Sequence, residues 1–307
     1  DGFTAGELER VKADVLRSLE NAFDEIDKTE SNTYADEYTR AYTVDEPIPG
    51  IEMELRMTES FLSDITIQEV NAIGNGFAQK TSQVALFSGP EKAGWKIPKE
   101  NELIAAVESA GMIELGPYDD RFLDAPLLAE EPSDGSVVSE SYDESVDTHT
   151  WELSNGAKVI VKNTDFKNDE VLMESFSPGG HSLVMDDEYL SAAMSTMILG
   201  ESGAGEFDSL QLEKRLAGKS INVSPYINGQ YEGFRGSYSP RDADAFFRLL
   251  HLQATNPRLD KAAFSSLESR LKAMVINRAQ SPQSVFQDAI EKKTLWRSSA
   301  SHAFKYG

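Results

Sequence analysis

Four histidines, one glycine-rich run and one acidic triplet are the residues whose types and spacing could do chemistry. His149, His181, His251 and His302 include no pair at the i, i+3 or i, i+4 spacing that sets two imidazoles on one helix face. His251 falls within an apolar helical pattern and reads as a core histidine, while His181 follows Gly179-Gly180 without a motif partner. In Gly200-Glu-Ser-Gly-Ala-Gly205, a phosphate loop would need a lysine where Glu206 stands. A nucleophile elbow would make Ser202 attack an ester or amide. Ala204 replaces its last glycine, however, and the element before it is a helix rather than a strand. The run reads instead as a helix C-cap with a flexible connector. Asp186-Asp187-Glu188 lacks the alternation of a calcium loop and suits a helix N-terminus. Tyr34, Tyr38 and Tyr42 form a helical stripe that reads as core. These residues supply no catalytic group and no metal ligand, and they leave substrate-binding residues unassigned.

Composition narrows the function further. Of 307 residues, 52 are acidic and 29 basic, a net charge of −23 that disfavours nucleic acid and anionic membranes as partners. No cysteine is present, which removes disulfides, thiolate zinc sites and cysteine nucleophiles together. No apolar run approaches a membrane span. The chain starts at Asp1-Gly2-Phe3 and stops at Lys305-Tyr306-Gly307, which reads as a piece of a longer protein.

The elements that must position any site fall in three stretches. Residues 1–110 are helix-rich, with capping boxes at Thr4/Glu7 and Thr66/Glu69 and one short buried strand expected at 83–87. Residues 111–148 are acidic and proline-bearing. Between 119 and 147, Asp119, Asp120, Asp124, Glu130, Glu131, Asp134, Glu140, Asp143, Glu144 and Asp147 face the single base Arg121. That stretch reads as an extended interdomain linker. Residues 149–307 open with a hairpin about Asn155-Gly156, where both residues tolerate positive φ. A strand is expected at 171–176, a helix at 187–198, a helix at 209–217 capped by Asp208/Gln211, and strands at 220–227 and 231–239 joined by Asn228-Gly229. Helices from Pro240, near Asp260 and near Ser281 complete the pattern. Hairpin strands followed by helices predict an α+β fold, a two-layer antiparallel sheet with helices on one face, preceded by a helix-rich partial domain.

Several of these segments together resemble the pitrilysin/insulinase-type zinc metallopeptidases, family M16. They are Trp151-Glu-Leu-Ser-Asn-Gly-Ala-Lys-Val159, Lys162-Asn-Thr-Asp-Phe-Lys-Asn-Asp169 and Ser177-Pro-Gly-Gly180. Leu216-Ala-Gly-Lys-Ser220, Val223-Ser-Pro225, Gly233, Gly236-Ser237 and Thr255-Asn-Pro-Arg258 continue the likeness. In the first stretch, residues 2–12, 65–71 and 87–90 resemble the late helices and last strand of such a domain. The likeness thus covers most of the chain apart from the linker.

What the resemblance implies is specific. Residues 1–110 would be the C-terminal part of one M16-like domain, 111–148 the linker, and 149–307 a non-catalytic M16-like domain that is incomplete at its C-terminus. Active domains of the family carry His-x-x-Glu-His on the helix after the glycine-rich turn, and a further glutamate on a later helix. Here the five-residue window reads Ala192-Ala193-Met194-Ser195-Thr196, and the later position falls near Ala273, with Glu268 the nearest carboxylate. The resemblance therefore implies no cofactor in this chain and zinc in a catalytic domain elsewhere in the parent protein. By the same resemblance the partners are extended or unfolded peptides and the other M16-like domains. The residues themselves leave the compartment unassigned, cytoplasm and periplasm being equally open to a cysteine-free chain, and the resemblance fits the periplasm or cell envelope. The expected role is a non-catalytic segment of a zinc metalloendopeptidase that helps to enclose peptide. The alternative is a catalytically inactive M16-like peptide-binding or scaffold subunit, and Ser202 as an independent hydrolase nucleophile ranks last for want of a base.

Overall fold

Thr4 opens the first helix as the capping-box residue: its hydroxyl accepts from Glu7 N–H (3.2 Å), and Glu7 accepts from Thr4 N–H (2.7 Å). A computed structural model describes residues 2–77, 84–89, 94, 96–110, 112–113, 125–185, 187–278 and 280–294. In it, α1 (Ala5–Asp24) lies against α3 (Ile51–Asp64), and α2 (Ser31–Val44), α4 (Ile67–Phe77) and α5 (Glu100–Ala110) complete the helical first region. The second capping box also forms, Glu69 N–H donating to Thr66 Oγ1 (3.3 Å).

Two expectations for this region need correction. The described residues of the expected strand, 84–87, have no regular secondary structure, and Val84 is 91% exposed. A strand needs a neighbour to satisfy its backbone, and among the described residues none lies beside it. The tyrosine stripe is not core either: Tyr34, Tyr38 and Tyr42 are all exposed, because α2 has no extensive contact with another described element.

The second region contains two antiparallel sheets. β1 (Val137–Asp143), β2 (Thr148–Leu153) and β3 (Lys158–Val161) form a meander with β2 in the middle. Its Asn155-Gly156 turn is as expected, with Gly156 at φ +85° and Asn155 Oδ1 accepting from Ala157 N–H (3.0 Å). In the other sheet β7 (Tyr231–Tyr238) is central. β6 (Ile221–Ile227) pairs on one side, while β4 (Val171–Glu174) and β5 (Ser177–Pro178) pair on the other in a common register, Glu174 opposite Arg235 and Ser177 opposite Glu232. Pro225 lies on β6, where only one edge is paired, so its missing N–H interrupts no ladder.

The acidic stretch is more structured than a linker. Residues 137–143 form β1, whose acidic side chains stay in solvent while the backbone pairs with β2, so strand formation buries no charge. Glu140 also accepts from the Trp151 indole N–H (3.0 Å). Further upstream Leu128 enters the main core, Arg215 Nε donates to Ala125 O (3.0 Å), and Arg248 pairs with Glu131. Residues 114–124 of that stretch lie outside the described residues.

The core forms where α8 (Ala243–Thr255) covers β6 and β7. Phe246 is fully buried and stacks on Tyr238 (centroids 4.3 Å apart), with Val223, Leu249, Leu252 and Phe207 around it. Gly236 lies beneath that ring. A Cβ there would stand 2.7 Å from Phe246 Cε2 and 2.3 Å from Asn222 O, so only glycine lets the helix approach this closely.

α1 docks on this second region through a polar junction. Arg17, only 8% exposed, reaches Asp169 (3.2 Å) and Asp242 (3.3 Å). Asp169 also accepts from the Ser239 hydroxyl (2.6 Å), and Asp242 from Ser220 N–H (2.9 Å). At the end of α1, Glu25 accepts the backbone N–H groups of Asn168 (2.8 Å) and Asp169 (2.7 Å). One turn before Arg17, Asp14 accepts from Gly218 N–H (2.6 Å). Gly218 has φ +74°, and a Cβ would meet Ala13 Cβ at 2.9 Å. Gly218→Ala is therefore expected to lose about 1–2 kcal/mol from the left-handed backbone alone, and more from displacing α1. Urea unfolding measures the loss, and a change below about 0.5 kcal/mol, the range of surface substitutions, would refute this account of the junction.

Candidate functional site

The helix that follows the glycine-rich turn is the place to look for a site. Gly180, at φ +78°, presses so closely on the β6–β7 turn that a Cβ would stand 2.3 Å from Asn228 O. Gly179 N–H bonds Gln230 O and His181 N–H bonds Asn228 O, both at 2.9 Å, which pins the turn to the hairpin. A short 3-10 turn, His181–Leu183, then leads into α6 (Tyr189–Ser202). The His181 ring meets Tyr189 edge-on, centroids 4.9 Å apart. Glu188 occupies the N-cap of α6 without a side-chain bond, and Asp186 lies outside the described residues.

α6 packs against β6 and against α9 (Lys261–Arg278), with Glu201 and Arg270 paired across the helices at 2.7 Å. This geometry places Ala192-Ala193-Met194-Ser195-Thr196, each half-buried, along α6. The Ser195 hydroxyl donates back to Ala192 O (2.7 Å). Two methyl side chains, a thioether and two hydroxyls do not offer the imidazole and carboxylate donors that zinc takes. On α9, Ala273 carries no donor, and Glu268 is engaged with Lys272 at 2.8 Å. Among the described residues no three His, Cys, Asp or Glu side chains cluster to hold a metal ion. The residues of this helix pair do not fit zinc.

Ser202 is placed as a structural residue. It is 1% exposed, and its hydroxyl accepts from Asp260 N–H (3.2 Å). Asp260 in turn caps α9, accepting from Ala262 N–H (2.8 Å) and Ala263 N–H (3.0 Å). The Ala263 bond above all, with Arg258 and Ala262 adding, holds its carboxyl below the usual aspartate value. The connector after Ser202 is tight rather than flexible. Gly203 caps α6, and Ala204 is fully buried and bridged to both Phe207 and Pro257.

The histidines stay dispersed. His149 lies on β2 with Nδ1 3.6 Å from Glu140, and His251 is only partly buried on α8 rather than core, because at 3.6 residues per turn it falls on the side of the helix away from Phe246 and Leu249. His302 lies outside the described residues. Sequence reasoning missed the Arg17 cluster, whose members are 152 and 225 residues apart. No local pattern could signal contacts at that distance.

An α+β domain with an antiparallel sheet, a pinned glycine turn and a helix after it has the fold of the M16-type zinc metallopeptidases. Among solved structures, the periplasmic protease PqqL from Escherichia coli superposes on 95% of this chain and 32% of its own, with TM-score 0.50 and 18% identity. That likeness is one of fold. By sequence the chain is similar to a PQQL-like zinc protease of Arabidopsis thaliana, 29% identical over 204 residues, which is 66% of this chain and 21% of that protein. It is also similar to a probable zinc protease PqqL of Haemophilus influenzae, 24% identical over 119 residues, 39% of this chain and 13% of that one. No protein-family model matches. The chain resembles the M16 zinc metallopeptidases and spans about a fifth or less of the length of these curated relatives.

Proposed function

We propose that this chain is a non-catalytic segment of an M16-type zinc metalloendopeptidase, forming part of the wall that encloses an extended peptide. One observation carries the reading. The helix after the pinned glycine turn, where the resemblance places His-x-x-Glu-His, holds residues 192–196 with no imidazole or carboxylate. In this reading residues 1–110 end one M16-like unit and the residues after the acidic stretch build most of the next. The chain's own work is then mechanical: Arg17 and its aspartates fix α1 on the second region, and the α8 core holds the sheet. Its partners are extended peptides and the remaining domains of the parent protein, where the zinc resides. The cell envelope is the proposed compartment, on the family likeness. Among the described residues no helix is long and apolar enough to cross a membrane.

The chelator-washed 307-residue chain is expected to bind no stoichiometric zinc and to leave a fluorogenic peptide intact. The parent protein with its upstream sequence is expected to bind zinc and to cleave the peptide. One tightly bound zinc per chain with EDTA-sensitive cleavage would overturn the reading. A parent lacking His-x-x-Glu-His throughout would make it a binding or scaffold subunit instead.

A further inference from the structure

Asn155-Gly156 and Asn228-Gly229 each close a hairpin, and both asparagines are exposed. A further Asn-Gly pair, Asn75-Gly76, lies inside α4, where backbone N–H groups turn to carbonyls one helical turn back. The two hairpins hold their Asn-Gly pairs differently. Gly156 N–H donates to Leu153 O (2.8 Å), and Asn155 Oδ1 accepts one bond, from Ala157 N–H (3.0 Å). At the other turn Asn228 O is taken by His181 N–H (2.9 Å). Tyr231 N–H, which would ordinarily close a tight turn on that carbonyl, goes to the side chain instead. Asn228 Oδ1 thus accepts both Gln230 N–H (2.9 Å) and Tyr231 N–H (2.8 Å). Among the described residues nothing accepts from Gly229 N–H, while Gly229 O accepts from Ser182 N–H (3.1 Å).

A free glycine nitrogen beside a doubly bonded amide oxygen is what succinimide formation needs. In that reaction the Gly229 nitrogen bonds Asn228 Cγ, and the negative charge of the tetrahedral intermediate gathers on Oδ1. The Cγ–Nδ2 bond then breaks, and Nδ2 leaves as ammonia with the proton that Gly229 N–H releases. Water opens the imide at either carbonyl, which leaves aspartate or isoaspartate, and no oxidant or cofactor enters. Backbone N–H groups aimed at Oδ1 stabilise it more as an oxyanion than as an amide oxygen, which lowers the barrier to acyl transfer. Glycine adds no Cβ to hinder the approach of its own nitrogen. At Asn155 the nucleophile must first leave Leu153 O, and a single donor meets the oxyanion. Exposure does not separate the two sites, because water reaches both.

We propose that Asn228 is a self-modifying site, which deamidates through a succinimide faster than Asn155 and whose isoaspartyl product releases the glycine turn ahead of α6. Isoaspartate routes the main chain through the side chain and lengthens it by a methylene. The bonds from Gly179 N–H to Gln230 O, His181 N–H to Asn228 O and Ser182 N–H to Gly229 O all meet the hairpin at that point. Slack is absent there, since a Cβ on Gly180 would stand 2.3 Å from Asn228 O. The site is independent of the peptidase reading, because it needs neither zinc nor peptide. The test ages the full 307-residue chain in neutral buffer, and peptide mapping by mass spectrometry reads Asn, Asp and isoaspartate at positions 155 and 228. In the folded chain Asn228 should be lost about tenfold faster than Asn155, the effect of a barrier lower by about 1.4 kcal/mol. In guanidinium chloride, where neither turn persists, the two rates should converge. Gln230→Pro removes one donor to Oδ1 and keeps the carbonyl that Gly179 uses, so it should slow loss at 228 and leave 155 unchanged. If that variant fails to fold, the folded and unfolded rates of the unaltered chain decide. Hydrogen exchange on the isoaspartyl form should be faster at residues 179–183 and in the first turn of α6, and unchanged in the β1–β3 meander and in α7 (Ser209–Arg215). Equal loss at both positions in the folded chain, a ratio that persists in guanidinium chloride, a folded Gln230→Pro chain with the unaltered rate at 228, or unchanged exchange at 179–183 would overturn the proposal.

Discussion

Arg17→Ala is expected to destabilise the chain by about 3–5 kcal/mol, the range for removing one partner of a buried ion pair. Its side chain is about one-tenth exposed, and so are those of Asp169 and Asp242. Taking these charges out of water is costly, and their mutual attraction offsets that cost only while the set stays complete. Without the guanidinium, Asp169 keeps the Ser239 hydroxyl (2.6 Å), and Asp242 keeps Ser220 N–H (2.9 Å) and Lys219 at 3.8 Å. Those contacts leave two buried carboxylates side by side with too little positive charge. Arg17→Met, which preserves most of the packing volume, separates the two causes. If charge dominates, it should lose nearly as much as Arg17→Ala; if packing dominates, it should lose under half. Urea unfolding gives the magnitude, and hydrogen exchange should show α1 opening first. A loss within about 1 kcal/mol, the level of an exposed ion pair, would mean that Arg17 is solvated in solution.

Exposed ion pairs in the same chain set the contrast. Arg56 with Glu52 at 3.8 Å and Arg40 with Glu46 at 3.3 Å are roughly half exposed. Each gains little, because water screens the attraction and two long side chains must be ordered. The burial around Arg17, not the number of pairs, makes the junction a determinant of how the first region sits.

The local parts of the fold were legible in the sequence because their causes are local. The Thr4/Glu7 and Asp208/Gln211 boxes, the Asn155-Gly156 and Asn228-Gly229 turns, and the order of strands and helices after residue 170 each rest on residues a few positions apart. Two kinds of feature were not. Strand formation at 137–143 was hidden by its acids, since composition reports charge while pairing with β2 uses the backbone. Burial of Leu128 and Arg17 depends on partners across the whole chain, which no window of sequence contains. In the candidate site, the bare window at 192–196 could be read only through a family pattern. The role of Ser202, by contrast, required the contact with Asp260 58 residues away.

Phe246→Ala carries the other large expected effect, about 3–5 kcal/mol, the range for emptying a buried phenylalanine site. Phe246 is fully buried on the face of α8 that meets β6 and β7, stacked on Tyr238 and edge-on to Phe247 at 5.3 Å. Two terms add: the lost transfer of the ring from water, and the cavity that rigid neighbours fail to fill. Collapse is restricted here. The floor beneath the ring is the backbone of Gly236, fixed by pairing with both Val223 on β6 and Met173 on β4, so it cannot rise into the gap. The loss should therefore fall in the upper half of the range. Phe246→Leu, which keeps most of the volume, should cost less than half as much. The denaturant slope should stay the same in both variants, because the surface exposed on unfolding hardly changes. A loss below about 1.5 kcal/mol for Phe246→Ala, the mark of a partly exposed site, would show that α8 does not seat on the sheet as described.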